Sequence, residues 1–130
     1  VDASREILHL AIQRLRSRMK IAELGGLIEK EARRRGFRVV KNLCGHGIGR
    51  KLHEPPREIP CFHDRFNRDR FRKSSVIALE TFISTGAAAV YEAPDGWTLA
   101  TRDGSFVAQH EHTLLVTDGR PEILTRENGI

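Results

Sequence analysis

The segment "NLCGHGIGRKLHEPP", residues 42–56, combines two histidines with an unusual density of glycine. Three alternating glycines surround His46, and His53 follows seven residues later. Glycine at this density is typical of a backbone that approaches another group closely or adopts a positive φ. A metal or a bound substrate is a candidate for that group. The two histidines can converge only if the chain bends between them, because a straight strand would point them to opposite sides. The alternative is a glycine-rich turn with two surface histidines.

Two glutamates lie in the middle of apolar, strand-like segments. Glu80 lies in "SVIALETFIS" and Glu111 in "FVAQHEHTLLVT", and neither segment has a lysine or arginine close to its glutamate. A buried, uncompensated carboxylate is unfavourable by several kcal/mol. A divalent cation would compensate both charges. The alternative for each glutamate is the exposed face of an edge strand.

One imidazole and two carboxylates form a borderline-hard ligand set, which suits Mn, Fe, Co or Zn rather than a thiolate site. Other sites fit the sequence less well. Cys44 and His46 are too close together, and lack a second pair, for a zinc finger. Cys44 precedes glycine in an apolar context, which favours a buried structural thiol over a nucleophile. No phosphate loop and no G-x-S-x-G motif is present.

The composition is that of one soluble globular domain. The chain has 130 residues, of which 39% are hydrophobic and 30% charged, and this balance excludes a disordered tail. No apolar run approaches the roughly 20 residues that span a bilayer, and the N-terminus lacks a signal-peptide layout. Two cysteines are too few for a disulfide scaffold. We therefore expect a reducing, cytoplasmic compartment and no membrane association.

Two helices are predicted before the strands. Apolar spacing predicts one helix over residues 3–19, with Asp2 as its N-cap, and a second over about residues 21–35, with Gly36 at its C-terminal end. The second helix contains two adjacent glycines, each unfavourable by about 1 kcal/mol relative to alanine, which indicates a close packing contact.

Two arginine-rich stretches raise the question of nucleic-acid binding. Residues 33–35 are three arginines at the end of the second predicted helix, where cations complement the helix macrodipole. Residues 63–73 interleave arginine with phenylalanine, which could suggest RNA binding. A solvated loop with snorkelling arginines is the favoured interpretation of the second stretch.

The second half of the chain is rich in strand signals. "FRVV" and the two glutamate-bearing segments are β-like, and Asp95-Gly96 and Asp103-Gly104 are hairpin signals. The order of two helices followed by mostly antiparallel strands predicts an α+β fold.

Three motifs in this order resemble one known family. "CGHGIGRKLHEPP", "IALETFISTGAA" and "DGWTLATRDGSFVAQHEHTLLVTDGRPEILT" look like the C-terminal half of a type I methionine aminopeptidase, a metallopeptidase of the pita-bread fold. The resemblance runs from about residue 3 to residue 125. It implies that residues 1–130 form a single domain, the C-terminal catalytic half without the N-terminal half. We expect half of a pita-bread fold, with two N-terminal helices packed on a mostly antiparallel curved sheet.

The resemblance implies a metal site for two divalent ions. His46, Glu80 and Glu111 resemble three metal ligands of the family, and Glu111 resembles the ligand that bridges the two metals. Glu80 also resembles the residue that takes and returns a proton during catalysis. Thr81 stands where the family usually has a proline after this glutamate.

The resemblance also implies contacts with a substrate. His53 resembles the histidine that hydrogen-bonds the substrate and helps to stabilise the tetrahedral intermediate. Trp97 and Leu52 resemble residues that line the pocket for the methionine side chain. The implied function is removal of N-terminal methionine from peptides and nascent proteins by a metal-activated water.

The family has five protein ligands, and two of them are aspartates of the N-terminal half. We assign none of the aspartates of this chain as a ligand, so we expect weak or no turnover by the chain alone. The partners we expect are a peptide or nascent-protein N-terminus and either the N-terminal half or a self-associated copy. The net charge of +5 could favour proximity to ribosomes. The alternative function is a non-catalytic binding module of the same fold.

Overall fold

Two helices precede an antiparallel sheet in the computed structural model, which describes all 130 residues. Helix α1 spans Asp2–Arg14 and helix α2 spans Ile21–Arg34. A single 3₁₀ turn lies at Arg126–Asn128. The strands in chain order are β1 (Arg38–Val39), β2 (Cys44–Ile48), β3 (Glu54–Pro60), β4 (Val76–Ser84), β5 (Tyr91–Glu92), β6 (Leu99–Ala100), β7 (Val107–Leu115) and β8 (Glu122–Ile123).

The main sheet has the strand order β3-β2-β4-β7-β8, and β1 pairs with the end of β4. Every strand pair is antiparallel. The nine-residue strands β4 and β7 pair along their whole length and form the centre of the sheet. The predicted α+β fold with two N-terminal helices on an antiparallel sheet is confirmed.

The core lies between the helices and one face of this sheet. Alternate residues of β4, including Ile77, Leu79 and Ile83, point to the helices and are at most 2% exposed. Ile7 and Leu8 of α1 are buried in the same apolar cluster. Because side chains alternate along a strand, the remaining residues of β4 lie on the opposite face of the sheet.

A buried pair of hydroxyls joins α1 to β4. The Thr81 hydroxyl donates to the carbonyl oxygen of Ser4 at 3.1 Å, and the two side-chain oxygens lie 2.8 Å apart. Both residues are fully buried. Thr81 stands where the resemblance leads us to expect proline. The threonine hydroxyl makes a contact with α1 that a proline could not make. The contact attaches the helix to the strand residue next to Glu80.

Helix α1 is shorter than predicted. It ends at Arg14, and Leu15 is extended, with φ −63° and ψ 132°. Leu15 is nevertheless completely buried, and Met19 packs against the core. The apolar spacing therefore continues past the end of the helix, which is why residues 3–19 resembled one helix. Asp2 is the first helical residue rather than the N-cap.

Helix α2 agrees with its prediction, and Gly36 follows it with a left-handed φ of +83°. Its Gly25 faces the chain just after β3. A Cβ at this position would lie 2.2 Å from the carbonyl oxygen of Phe62 and 2.7 Å from that of Pro60. The predicted close packing contact is therefore present at Gly25. At Gly26 a Cβ would lie 3.4 Å from the His63 side chain.

The arginine-rich stretches form ion pairs and a loop. Arg33, Arg34 and Arg35 pair with glutamates of the two helices. Residues 63–73 contain no helix, and only an isolated bridge forms at Arg70. Phe71 anchors this loop in the core. No helix has the length and apolar character needed to cross a membrane.

The first Asp-Gly pair forms the predicted hairpin, which joins β5 to β6, and Gly96 has a φ of +70°. The carboxylate of Asp95 accepts hydrogen bonds from the backbone N–H groups of Trp97 and Thr98. The second pair forms a turn with Gly104 at φ +76°, but β6 and β7 do not pair across it.

The two glycines of α2 allow a matched test of the packing. We expect Gly25→Ala to lower the free energy of unfolding by about 2 kcal/mol, because the new methyl group would overlap backbone carbonyls that cannot move independently. We expect Gly26→Ala to be neutral or stabilising by up to about 1 kcal/mol, because alanine favours the helix and the nearest atom, at 3.4 Å in the His63 side chain, is at ordinary contact distance. Urea unfolding of both variants measures the difference. Equal stability of the two would show that the close approach at Gly25 is absent in solution.

Candidate metal centre

His46, Glu80 and Glu111 lie on the face of the sheet that points away from the helices. Glu80 on β4 is directly opposite Glu111 on β7 in the antiparallel register. His46 on β2 is opposite Ala78, two residues from Glu80 and therefore on the same face. Strands from three separate parts of the chain thus bring one imidazole and two carboxylates to one surface.

The imidazole of His46 is aimed at Glu80. Its Nε2 lies 3.4 Å from Glu80 Oε2, and both residues are 8% exposed. Its Nδ1 lies 2.9 Å from the carbonyl oxygen of Gly47. Because that oxygen can only accept, Nδ1 carries a proton and donates a hydrogen bond to it. In the neutral tautomer Nε2 therefore directs a lone pair at a carboxylate oxygen. Such a pair is favourable only with a proton or a cation between the two atoms.

The pKa of Glu80 is raised to about 7, chiefly by burial and secondly by the negative charge of Glu111. His46 and the amide of Gln109 act against the increase, but they do not cancel it. No lysine or arginine forms an ion pair with Glu80. A carboxylate in this state is suited to a positive partner, and a divalent cation would provide one.

Gln109 is a site residue that the sequence reasoning missed. Its side-chain amide donates to Glu80 Oε1 at 3.2 Å and extends to Glu111 Oε2 at 3.4 Å. The amide thus joins two carboxylates that would otherwise repel each other across the strand pair. The available signal was its position two residues before Glu111, which places both side chains on one face of β7.

Two of the glycines around His46, Gly45 and Gly47, are explained by neighbouring backbone rather than by a ligand. A Cβ at Gly45 would lie 2.3 Å from the carbonyl oxygen of Ala78, and one at Gly47 would lie 2.2 Å from that of Pro55. Neither glycine has a positive φ. The predicted close approach is therefore present, and its partners are β4 on one side of β2 and β3 on the other.

His53 meets His46, as the predicted bend requires. The two rings lie 4.0 Å apart between centroids, with a tilt of 42°. The strand β2 ends at Ile48, and the pairing of β2 with β3 shifts register between Gly45 and Gly47. This irregularity and the following turn bring the second histidine back to the first.

The structure does not enclose the two residues expected to line an apolar pocket. Trp97 is 88% exposed on the β5–β6 turn, and Leu52 is 70% exposed between β2 and β3. Their roles in binding a side chain stay predictions.

The two cysteines are free and lie in different environments. Cys61 is completely buried, its thiol donates to the carbonyl oxygen of Glu80 at 3.2 Å, and burial raises its pKa to about 12. Cys44 is partly buried, and burial likewise raises the pKa of its thiol. Both groups are therefore protonated at neutral pH and unsuited to act as nucleophiles.

The side chains of His46, Glu80 and Glu111 are of types that bind divalent cations, but they are too few to complete a metal site. Imidazole nitrogen and carboxylate oxygen suit the transition metals named above. Yet no group of three or more His, Cys, Asp or Glu side chains is arranged closely enough to hold a metal ion. Additional donors would be needed for a complete coordination sphere.

The family model for metallopeptidase family M24 matches residues 1–118. The chain belongs to metallopeptidase family M24. Membership implies use of divalent metal, in agreement with the donor chemistry of His46, Glu80 and Glu111.

Curated M24 relatives are named methionine aminopeptidases. Methionine aminopeptidase 2 of Bacillus subtilis is 47% identical over 115 residues, which are 88% of this chain and 46% of the relative. The methionine aminopeptidase of Escherichia coli K12 is 36% identical over 122 residues, which are 94% of this chain and 46% of the relative. The chain thus spans about half the length of the curated relatives it matches.

Solved structures of the family confirm the fold. The methionine aminopeptidase of Thermotoga maritima has a TM-score of 0.89 and 37% identity, over 96% of this chain and 50% of that one. This likeness confirms the expected half of a pita-bread fold. The prolidase of Pyrococcus furiosus matches with a TM-score of 0.68 at 20% identity, which supports the fold alone.

The raised pKa of Glu80 makes the metal-free M24 chain pH-sensitive. The folded-state pKa of about 7 lies above the usual value of 4.5, so the folded protein holds a proton that the unfolded chain releases. Stability should therefore fall as pH rises from about 4.5 through 7. We expect Glu80→Gln to stabilise the chain above pH 7 by about 2 kcal/mol, less than the full shift implies because the site is partly solvated.

Urea unfolding at several pH values in the presence of a chelator measures this effect. The gain from Glu80→Gln should shrink towards zero near pH 4.5, where the native carboxyl is protonated. Glu122→Gln, at an exposed position of β8, is the control and should show no such trend. A gain that is the same at every pH would contradict the raised pKa.

Proposed function

We propose that residues 1–130 contribute the C-terminal catalytic half of a metal-dependent aminopeptidase that removes N-terminal methionine from peptides and nascent proteins. The observation that carries the proposal is the convergence of His46, Glu80 and Glu111 on the face of the sheet that points away from the helices. The names of the curated relatives support the same activity.

His46 Nε2 and the carboxylates of Glu80 and Glu111 would hold the metal. Co, Mn, Fe and Zn all suit these donors. A bound ion would supply a Lewis acid and a coordinated water of lowered pKa. Because Nδ1 of His46 donates a hydrogen bond to the carbonyl oxygen of Gly47, its Nε2 keeps a lone pair that can bind a metal.

Glu80 would move the proton. As the resemblance implies, its carboxylate would accept a proton during the reaction and return it. Gln109 would hold the carboxylates of Glu80 and Glu111 in place through its amide. Proton transfer would thus occur at a group of constrained orientation.

His53 would bind and polarise the substrate. Its ring lies beside His46 but on an exposed loop, so one face of the ring is open to a peptide. Trp97 and Leu52 would line the pocket for the methionine side chain when an additional surface covers them. Both are large apolar side chains that solvent reaches in this chain.

A complementary N-terminal half would provide that surface and the additional donors. A second copy of this chain could cover Trp97 and Leu52 but would bring only the same three donors. We therefore propose little or no turnover by the chain alone. The setting we propose is the cytoplasm, and the positive net charge gives weak support for proximity to ribosomes.

A non-catalytic binding module of the same fold is the second candidate function. One observation favours it, because no three donors of this chain are arranged to hold a metal. The retained set of His46, His53, Glu80 and Glu111 favours the peptidase.

Metal titration tests the proposed ligands. We expect the chain to bind Mn²⁺ or Co²⁺ in calorimetry, and we expect His46→Ala and Glu80→Gln each to weaken binding at least about tenfold, since each removes one donor. Glu58→Gln, at an exposed position of β3, is the control and should bind as the parent chain does. Unchanged affinity in both site variants would eliminate this ligand set.

Release of methionine from a Met-Ala-Ser peptide tests the activity. The assay uses added Co²⁺ or Mn²⁺, with and without a supplied N-terminal half. We expect turnover only in the complemented sample. Turnover by the chain alone would contradict the need for additional ligands, and metal binding without turnover in either sample would favour the binding module.

A further inference from the structure

The loop at residues 49–53 carries His53 to the metal-centre face. The His53 ring lies 4.0 Å from that of His46 between centroids, but it takes part in no hydrogen bond of its own. The side chain is exposed, so surrounding atoms do not enclose it. The position of the ring therefore depends on the backbone conformation of the loop.

Glu54, the first residue of β3, contacts this loop at its first residue, Gly49, and at its middle residue, Lys51. Its Oε1 accepts a hydrogen bond from the backbone N–H of Lys51 at 3.1 Å. The Lys51 carbonyl in turn accepts from the backbone N–H of Gly49 at 3.1 Å. The carboxylate also fills the space beside Gly49, where a Cβ would lie only 1.7 Å from Glu54 Oε2.

The surroundings of Glu54 distinguish it from an ordinary surface carboxylate. It is partly buried, whereas Arg57 and Glu58 of the same strand are exposed. Its backbone is paired with Gly47, so the base of the side chain is held by the sheet. A hydrogen bond from a backbone N–H to a carboxylate is stronger than one between neutral groups.

We propose that Glu54 is a positioning residue, whose carboxylate fixes the 49–53 loop in the conformation that places the His53 ring beside His46. Gly49 has no side chain at the point where the carboxylate packs, and this allows the contact. The catalytic consequence rests on the function proposed above, in which His53 contacts the substrate. The structural consequence is independent of that function.

Nuclear magnetic resonance of the metal-free chain tests the structural consequence. We expect Glu54→Ala to speed hydrogen exchange of the Lys51 amide by about tenfold or more and to remove the nuclear Overhauser contact between the His46 and His53 rings. Glu54→Gln keeps an acceptor oxygen of similar reach and should preserve both. Glu58→Ala is the matched control on β3 and should also preserve both.

Gly49→Ala provides a second variant that leaves Glu54 in place. The new methyl group would displace the carboxylate, so we expect the same two losses as in Glu54→Ala. The amide spectrum of β4 and β7 reports whether each variant is folded. Folded Glu54→Ala or Gly49→Ala protein that keeps both the Lys51 protection and the ring contact would overturn the proposal.

Kinetics with the supplied N-terminal half test the catalytic consequence. We expect Glu54→Ala to lower kcat/KM about tenfold while metal affinity is unchanged, and Glu54→Gln to restore most of the loss. A parallel loss of metal affinity would show a general structural role and overturn the positioning role. If metal binding and turnover fail in the parent chain while the resonance results hold, the proposed function fails and the positioning of His53 stands.

Discussion

The opposition of Glu80 and Glu111 across the β4–β7 pair is the constraint on which the site depends. Antiparallel pairing over nine residues makes the register of these strands unambiguous, and it puts two carboxylates side by side on one face. A shift of either strand by one residue would turn its glutamate towards the apolar core. The fold therefore holds two carboxyl groups together, and burial, followed by the charge of Glu111, raises the pKa of Glu80.

The opposite face of the same strands supplies the rigidity that this arrangement needs. Ile77, Leu79 and Ile83 pack against the helices, and Thr81 is bonded to Ser4 of α1. One strand thus carries core residues and site residues alternately. Because the core side resists movement, the carboxylate side cannot relieve its repulsion by shifting the backbone.

Polar neighbours reduce the repulsion without removing it. Gln109 shares its amide between the two carboxylates, and His46 directs Nε2 at Glu80. Neither neighbour is a fixed cation. The site therefore remains favourable for a divalent ion, in agreement with membership of a metallopeptidase family.

Much of the fold and the site followed from the amino-acid types and their order. The apolar spacing indicated α2, strand-like patterns placed Glu80 and Glu111 in the middle of two strands, and glycine content indicated the close approaches at Gly25 and Gly45. These inferences succeeded because they depend on local periodicity and on the absence of a side chain, and both are visible in a sequence.

Tertiary structure alone decided the rest. Leu15 and Met19 continue an apolar pattern beyond the end of α1, since burial depends on the path of the chain and not on helical geometry. The reach of the Gln109 amide to Glu80 and the packing of the Glu54 carboxylate on Gly49 depend on pairing between strands that are distant or bent. No local pattern specifies such distances, because they arise only when the strands have taken their register.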